Sequence, residues 1–468
     1  MKPSSILSAV LPLAIAAVLP PAASGTGNVA LRLEYYELDH VMLNTLVAEP
    51  TDSMDAGTVR EAVLELVRTG EATQIESAFM VTKSGQRAKV ESVIEWIYPI
   101  EYDPPEIAKN IKGPISAGTD IMSLLTPTAF DTRNLGLTFE ADPVVDPGGE
   151  LIDLNLSPEL DVNLGDNTYG QDESTVNHPV IHSLEARLVA TLYRGHWAIL
   201  SIHSPPPVAV DAVPVPDRRV LTLLHADFFG VGVAGDEVGE DAERPSDPFG
   251  EQPDEPDAPA AGVGLFAEWF ELGAVDATRL LDVNPGAGAD ATKLRETLSA
   301  WIAEGRASLF ESAYLVTKSG QRAKSESAQG WIFPIEVTVG SSPQSIVGPI
   351  DPDTRLTSRV SYSAYDTRKL GTILEADPVI GPSGRMVDLI VAAGIAEFSR
   401  NVTIGQGKSS VEMPIFYSMK AQTSITARTG IPIVLSQHSP RPDDVTKPHF
   451  GSEKRILCIV TARVLTAE

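Results

Sequence analysis

The 468-residue chain contains a single cysteine, Cys458, few aromatic side chains and far fewer basic than acidic residues. One thiol excludes a disulfide framework and a cysteine-based metal cluster. The chain carries 36 lysines and arginines against 63 aspartates and glutamates, a formal charge of −27. This balance excludes a nucleic-acid partner, because phosphate binding needs a concentrated basic surface. A glycine-rich phosphate loop and a dinucleotide-binding fingerprint are also missing, so we expect no cofactor.

Long apolar runs are absent apart from one near the N-terminus. Lys2 precedes an apolar stretch over residues 6–19, and small residues follow up to Gly25. This order is typical of a secretory signal peptide, which we place at residues 1–24. An uncleaved N-terminal anchor is the alternative. The leader therefore predicts an exported protein.

The strongest pattern is an internal repeat at a shift of 235 residues, which takes residue 76 to residue 311. The segment ESAFMVTKSGQRAK at 76–89 returns as ESAYLVTKSGQRAK at 311–324. A constant shift over a long stretch indicates a duplicated unit. We therefore predict copy 1 over residues 30–227 and copy 2 over residues 263–468.

The segment between the copies, residues 228–262, is rich in glycine, proline and acidic residues. From Asp236 to Asp257, ten acidic residues accompany a single basic residue, Arg244. Like charges at this density repel one another and cannot form a packed core. We expect a disordered, extended linker.

Each copy is predicted to be α+β and mainly β, with one short helix followed by antiparallel strands. The sequence VREAVLELVR at 59–68 places its apolar residues on one face and is followed by Gly70. Strands over 75–83 and 88–100 flank Ser84-Gly85-Gln86, whose composition is typical of a hairpin turn. Copy 2 repeats these features.

The order of motifs along each copy resembles the secretin domain of bacterial type II and type III secretion systems and type IV pilus machinery. A short helix ending at glycine is followed by GQRAKV at 85–90, LGLTF at 135–139, LIDLNL at 151–156 and EARLVAT at 185–191. The order of these elements is more specific than any one of them. The resemblance implies two secretin-like units that pair with each other or with further chains, or with envelope proteins, and it allows membrane association. It also implies a place in the periplasm or the outer membrane.

The chain also departs from the secretin pattern. Secretin domains close with an Asp-Gly-Gln-Thr turn and a Gly-Gly-Leu return strand, and residues 193–200 and 428–435 lack both. We therefore expect a structural or assembly component related to secretion or pilus outer-membrane complexes, with a role other than a standard channel. The alternative is a soluble periplasmic or surface binding protein that uses the diverged stretches 101–127 and 336–359.

The residues repeated at the 235-residue shift are expected to have a structural role, including salt bridges between copies or between chains. They are Lys83, Gly85, Gln86, Arg87, Trp96, Pro99, Asp131 and Arg133 in copy 1, and Lys318, Gly320, Gln321, Arg322, Trp331, Pro334, Asp366 and Arg368 in copy 2.

Histidines are the remaining candidates for chemistry. His203-Ser204 and its repeat His438-Ser439 are not catalytic dyads, because adjacent strand residues point to opposite faces, and we assign them to a shared turn. His178 and His182 could share a metal ion, but the second copy has Met and Tyr at the equivalent positions. We therefore expect no metal site and no enzymatic activity.

Overall fold

The computed structural model describes residues 27–48, 55–103, 111–112, 125–169, 176–206, 217–230, 260–339, 346–347, 360–405, 410–441 and 453–466. The predicted fold class is confirmed: the chain is α+β and mainly β, with antiparallel sheets. The predicted signal peptide, residues 1–24, lies outside the described residues.

Copy 1 begins with a strand, continues with two helices and then returns to strands. Its elements are β1 (Gly27–Asp39), α1 (His40–Ala48), α2 (Gly57–Thr69), β2 (Thr73–Lys83), β3 (Ala88–Asp103), β4 (Ile111–Lys112), β5 (Thr126–Val145), β6 (Leu151–Tyr169), β7 (Val176–Glu185), β8 (Leu188–Tyr193), β9 (His196–His203) and β10 (Arg218–Gly230).

Copy 2 repeats this order. Its elements are β11 (Ala260–Gly273), α3 (Ala274–Asp282), a 3-10 turn (Pro285–Gly288), α4 (Thr292–Ala303), β12 (Ala307–Thr317), β13 (Ala323–Val339), β14 (Ile346–Val347), β15 (Val360–Ile380), β16 (Met386–Ile404), β17 (Val411–Arg428), β18 (Pro432–His438) and β19 (Lys454–Thr466).

The described strands form two large sheets, and both copies contribute to each of them. Sheet A has eight strands in the order β12-β11-β19-β18-β2-β1-β10-β9. Sheet B has nine strands, with the path β13-β15-β16-β17-β3-β5-β6-β7 and with β8 also paired to β6. Each sheet therefore runs without interruption from copy 2 into copy 1.

The main core lies between the two sheets, and the helices cover the other face of sheet A. Leu33 and Met80 of sheet A share one buried cluster with Phe139 of sheet B. A second cluster joins the apolar face of α2, including Val63, to Leu221 of β10. The sandwich places the edges of both sheets side by side at each end of the molecule.

Helix α2 follows its sequence signals closely. Its buried positions are Val59, Arg60 and Val63, one helical face. Gly70 ends the helix in the left-handed conformation, with φ of 83°, and its N–H donates to a carbonyl of the last turn. The prediction of one helix per copy is nevertheless wrong, because α1 and α3 precede α2 and α4.

The predicted hairpin at Ser84-Gly85-Gln86 is also wrong. Strand β2 belongs to sheet A and β3 to sheet B, so this turn crosses between the sheets. It is held there by bonds to sheet B: the Gly85 N–H donates to the Pro143 carbonyl, and Ser84 Oγ accepts from the Val145 N–H. The turn between β8 and β9 crosses in the same way.

The predicted linker, residues 228–262, overlaps two strands of sheet A at its ends. Strand β10 continues to Gly230 and β11 starts at Ala260, so both ends of the segment belong to sheet A. Apolar Phe228 and Phe229 extend the strand because they pair with Val29 and Asn28 of β1. Residues 231–259 lie outside the described part of the chain.

Two repeated glycines set the closest approach between β3 and β5 and between β13 and β15. Gly136 and Gly371 have φ of 124° and 132°. A Cβ at these positions would lie 2.2 Å from the Ser92 carbonyl oxygen and 2.1 Å from the Ser327 carbonyl oxygen. Neither position can accept a side chain without moving the neighbouring strand.

We predict that Gly136→Ala and Gly371→Ala each lower the free energy of unfolding by ~1–3 kcal/mol, because the backbone conformation and the contact are both strained. Urea unfolding followed by circular dichroism measures this loss. Gly70→Ala is the matched control: it has a positive φ and nothing within 4 Å of its Cβ. Equal losses for all three variants would contradict the role of the contact.

Candidate assembly interface at the junction of the two copies

The two copies meet through strand pairing in both sheets. In sheet A, β18 pairs antiparallel with β2, with Ser436 opposite Met80. In sheet B, β17 pairs antiparallel with β3 over seven positions, from Phe416 opposite Glu95 to Gln422 opposite Lys89. We call this double pairing the internal junction. It uses the start of copy 1 and the end of copy 2, so it joins two different edges of the repeated unit.

A buried polar group lies at the sheet A part of the internal junction. Gln437 Nε2 of copy 2 donates to Ser77 Oγ of copy 1 at 2.7 Å. Arg455 Nε donates to the same oxygen at 3.0 Å, and its Nη2 lies 3.6 Å from Glu76 Oε1. The Ser439 hydroxyl also donates to Glu76. These side chains are all buried, so the carboxylate of Glu76 is compensated by a partner from the other copy.

His438 lies beside this group and bridges the two sheets. Its Nε2 lies 2.8 Å from Ser436 Oγ, and its Nδ1 lies 3.0 Å from the Glu91 carbonyl oxygen. Burial lowers the pKa of His438 to about 4, although the bond to the Glu91 carbonyl opposes that change. The assignment of His438-Ser439 to a simple turn is therefore wrong: His438 ends β18 and its ring is part of the junction.

A charged cluster joins the copies on the helical side of sheet A. Arg32 Nη1 and Arg60 Nη2 of copy 1 donate to Asp282 Oδ1 of copy 2 at 2.6 Å and 3.0 Å. Both arginines also bind Glu34, which accepts a further bond from Tyr36. Burial opposes the ionised form of Glu34, but the two arginines and the tyrosine together hold its pKa below the ordinary value.

Three further contacts cross the internal junction. The Arg368 guanidinium of copy 2 forms an ion pair with Glu95 of copy 1. Lys83 Nζ lies 2.7 Å from Asp388 Oδ1. The Asn28 side chain donates to the Thr426 carbonyl at 2.8 Å and accepts from its N–H at 2.9 Å, which fixes the register.

The structure brings a minority of the predicted repeated residues to the junction. Lys83 and Arg368 form the ion pairs just described, and Trp96 lies under Arg400 of the other copy at 5.9 Å. The others lie within their own copy. Gly85 and Gly320 form turns with positive φ, and the N–H groups of Gln86 and Gln321 close these turns. Three of the arginines form ion pairs: Arg87 with Glu140, Arg322 with Glu375 and Arg133 with Asp161. Pro99 and Pro334 lie opposite Phe130 and Tyr365, and Asp131 and Asp366 accept from the N–H of the following residue. Trp331 stacks on Phe398, and Lys318 follows β12 at the exposed end of the sheet.

Most residues that carry the junction were missed in the sequence. Arg32, Asp282 and Asn28 differ between the copies, so a search for repeated residues passes over them. Glu76 lies inside the repeated motif, where its pairing with Arg455 has no sequence signal. The His178 ring contacts Tyr102 and Tyr169 edge-on. Among the described residues there is no group of three side chains placed to hold a metal ion.

The repeated strand is buried in copy 1 and exposed in copy 2. Val81 and Phe79 of β2 are 0% and 6% exposed, whereas their counterparts Val316 and Tyr314 of β12 are 53% and 45% exposed. Within the described residues β12 ends sheet A, and β13 ends sheet B apart from one pairing of Glu336 with β5. We call β12 and β13 the entry edge of copy 2.

The other end of the molecule shows the same contrast. Strands β17 and β18 are largely buried at the internal junction, while their counterparts β7, β8 and β9 are half-buried or exposed. Ile202 of β9 is 43% exposed, and its counterpart Gln437 is 3% exposed. We call β7, β8 and β9 the exit edge of copy 1. The outer strands of the two sheets therefore present the two kinds of edge that the internal junction joins.

Comparison with known proteins gives structural likenesses only. No protein-family model matches the sequence, and no curated protein matches it. Solved structures similar to the chain include the enterotoxigenic Escherichia coli secretin GspD with the pilotin AspS, at 12% identity and a TM-score of 0.24, over 45% of this chain and 51% of that one. The Salmonella SPI-1 injectisome secretin InvG matches at 9% identity and a TM-score of 0.22, over 67% and 89% of the two chains.

The Vibrio cholerae competence pilus secretin PilQ is similar over 94% of this chain and 61% of its own, at 9% identity and a TM-score of 0.21. This chain thus spans about half of the GspD chain that it matches. At such TM-scores, likeness to secretins carries no conclusion about activity, substrate or partner. In the described part of the chain, no helix is long and apolar enough to cross a membrane.

We predict that the chain loses stability as the pH falls from about 6.5 to about 4, the interval between the ordinary pKa of histidine and that of His438. In this interval the unfolded state binds a proton that the folded state does not, so unfolding is favoured by up to ~3 kcal/mol. Urea unfolding of the wild type and of His438→Gln at several pH values measures the effect. A pH dependence unchanged by the substitution would contradict it.

Proposed function

We propose that this protein is an exported, secretin-like structural component of the bacterial envelope that assembles head to tail. In this assembly the exit edge of copy 1 in one chain pairs with the entry edge of copy 2 in the next. The signal-like leader and the resemblance of both copies to secretin units support the envelope location. The entry edge and the exit edge, which form the outer strands of the two sheets, support the assembly.

The observation that carries the proposal is the internal junction itself. It is a finished example of the contact between these two edges, in both sheets at once, formed by units with the same fold. The strand ESAYLVTK of copy 2 is exposed, although its near-identical counterpart in copy 1 is covered by β18. An exposed apolar edge strand pairs readily with another chain. The partner that fits is a second copy of this chain.

The polar partners needed at the contact between chains are also present. Arg219 of β10 occupies the register position of Arg455, and each donates Nη1 to the preceding carbonyl, at 2.7 Å and 2.8 Å. On the entry edge, Glu311 accepts from the Ser312 N–H at 2.8 Å, as Glu76 does from Ser77. Arg219 of one chain would thus bind Glu311 and Ser312 of the next.

Two more contacts of the internal junction would be repeated. His203 corresponds to His438, whose Nδ1 also lies 3.3 Å from Ser92 Oγ. Ser92 in turn corresponds to the exposed Ser327 on β13. Ser201 corresponds to Ser436, and its buried hydroxyl has no hydrogen-bond partner within the described residues. In the assembly it would bind His203, as Ser436 binds His438.

Head-to-tail contacts between different edges produce either a closed ring or an open filament. A closed ring leaves no exposed strand edge in either sheet, which removes the aggregation hazard of β12 and β13. We therefore favour the closed ring. Because each chain already holds one junction, such a ring contains equal numbers of internal and interchain junctions.

We predict that Val316→Asp abolishes assembly and leaves the stability of the single chain nearly unchanged, because Val316 is exposed until the next chain covers it. Light scattering on a sizing column, with envelope extracts prepared with and without detergent, measures the native mass. The wild type should form particles many times the mass of one chain, and the variant should be monomeric.

The duplication supplies the matched control. Val81→Asp places the same charge at the equivalent, buried position of β2, and it should lower the free energy of unfolding by several kilocalories per mole. Val283→Asp, on an exposed position away from both edges, should change neither mass nor stability. A wild-type chain that stays monomeric in all conditions would overturn the proposal and favour the soluble binding protein. The diverged stretches that this protein would use lie partly outside the described residues.

A further inference from the structure

We propose that the internal and interchain junctions differ in kind, so that each edge accepts only one of the two copies and the edges cannot exchange partners between chains. We call this edge selectivity, and it rests on the proposed function. Asn28, Arg32 and Glu95 of copy 1 carry it, together with the repeated arginine of β5 and β15. The partner remains a second copy of this chain, and these residues select which of its edges can dock.

The three positions carry polar side chains in copy 1 and none in copy 2. Asn28, Arg32 and Glu95 all contact copy 2 across the internal junction. The strand registers place Gly262, Phe266 and Gly330 at the equivalent positions of β11 and β13 in copy 2. The repeated framework therefore presents different chemistry at these positions in the two copies.

The repeated arginine, Arg133 in β5 and Arg368 in β15, binds a different carboxylate in each copy. In copy 2, Arg368 binds Glu95 across the internal junction, and the residue opposite Gly371 on the adjacent strand β16 is Ala396. In copy 1, Arg133 binds Asp161 of its own copy at 3.1 Å, and Asp161 is the residue opposite Gly136. Arg368 therefore binds a carboxylate of the other copy, whereas Arg133 binds a carboxylate of its own copy.

This arrangement makes the wrong junctions electrostatically unfavourable. If copy 1 docked on another copy 1, Glu95 would face an arginine already bound to Asp161, with Glu159 also 3.8 Å from it. Three carboxylates would then share one guanidinium. If copy 2 docked on another copy 2, Arg368 would face Gly330 and Asp282 would face Phe266. Either pairing leaves charged side chains at the junction without a partner of opposite charge, which disfavours it.

The correct interchain junction avoids both problems. Gly330 demands no charged partner, and Arg133 is already satisfied by Asp161. The same holds for Phe266, which replaces Arg32 and needs no counterpart to Asp282. Chains therefore keep their internal junctions closed and associate only through the exit edge of copy 1 and the entry edge of copy 2.

The first experiment tests, within a single chain, whether an internal carboxylate can replace Glu95 as the partner of Arg368. Glu95→Ala removes the partner of Arg368 and should lower the midpoint of thermal unfolding by about 2–4 °C. Ala396→Asp supplies an internal carboxylate, as Asp161 does in copy 1, and Glu95→Ala/Ala396→Asp should regain at least half of the loss. Ala396→Asp alone should not stabilise the chain. If the double variant does not regain this midpoint, the idea that Arg368 needs one carboxylate from either source is wrong.

The second experiment tests the interchain junction. Gly330→Glu gives the entry edge of copy 2 the charge found in copy 1, and its Cβ meets only Thr367 Cγ2 at an ordinary 3.6 Å. It should weaken association between chains at least tenfold, measured by sedimentation velocity. Adding Asp161→Ala frees Arg133 to bind the new glutamate and should restore association to within threefold of the wild type. Gly330→Ala and Asp161→Ala alone are the controls.

The two ideas fail in different ways. A wild-type chain that never associates overturns the proposed function. The thermal experiment then still decides whether the carboxylate introduced by Ala396→Asp can replace Glu95 as the partner of Arg368. If the wild type associates but Gly330→Glu associates equally well, or Asp161→Ala fails to rescue it, edge selectivity is overturned and head-to-tail assembly stands.

Discussion

The structure depends on covering the edge of copy 1 with the end of copy 2. Strands β2 and β3 are the strands of copy 1 that meet copy 2, and β18 and β17 of copy 2 lie against them in antiparallel register. Without this contact, the amide and carbonyl groups that face the junction would be left without partners, and the buried carboxylate of Glu76 would lose its cationic partner. The pairing turns four short sheets into two long ones.

The contact is polar where an apolar one would serve stability equally well. The charged cluster removes Arg32, Arg60 and Glu34 from water, while the side chain of Asp282 stays 32% exposed. Buried charge clusters of this kind are often no more stable than a packed apolar core. Their geometry, however, admits only one docking position. Asn28 has the same effect, because its amide forms hydrogen bonds with both the carbonyl and the N–H of Thr426. The cluster therefore favours one register over strand slippage, which simple apolar strands would tolerate.

The sequence alone predicted the fold class, and it revealed the internal repeat, since periodic patterns and repeated words are properties of the chain itself. It could not predict the partition of strands between sheets. The turn at Gly85 has the composition of a hairpin, and local composition does not reveal that its flanking strands pair with other strands far away in the chain. Nor could the repeat distinguish Arg133 from Arg368. Both lie in the same motif, and their partners are decided by Asp161 and Ala396, which no local pattern connects to them.

The divergence between the copies has a structural logic. Residues that build the unit, such as Gly136 and Gly371, are kept because both copies must bring two backbones equally close. Residues at the edges are free to differ once each edge meets a single kind of partner. A duplicated unit whose edges stayed identical could pair in every combination, within the chain or between chains. Different edge chemistry restricts these combinations, so specialisation of the edges follows from joining two units in one chain.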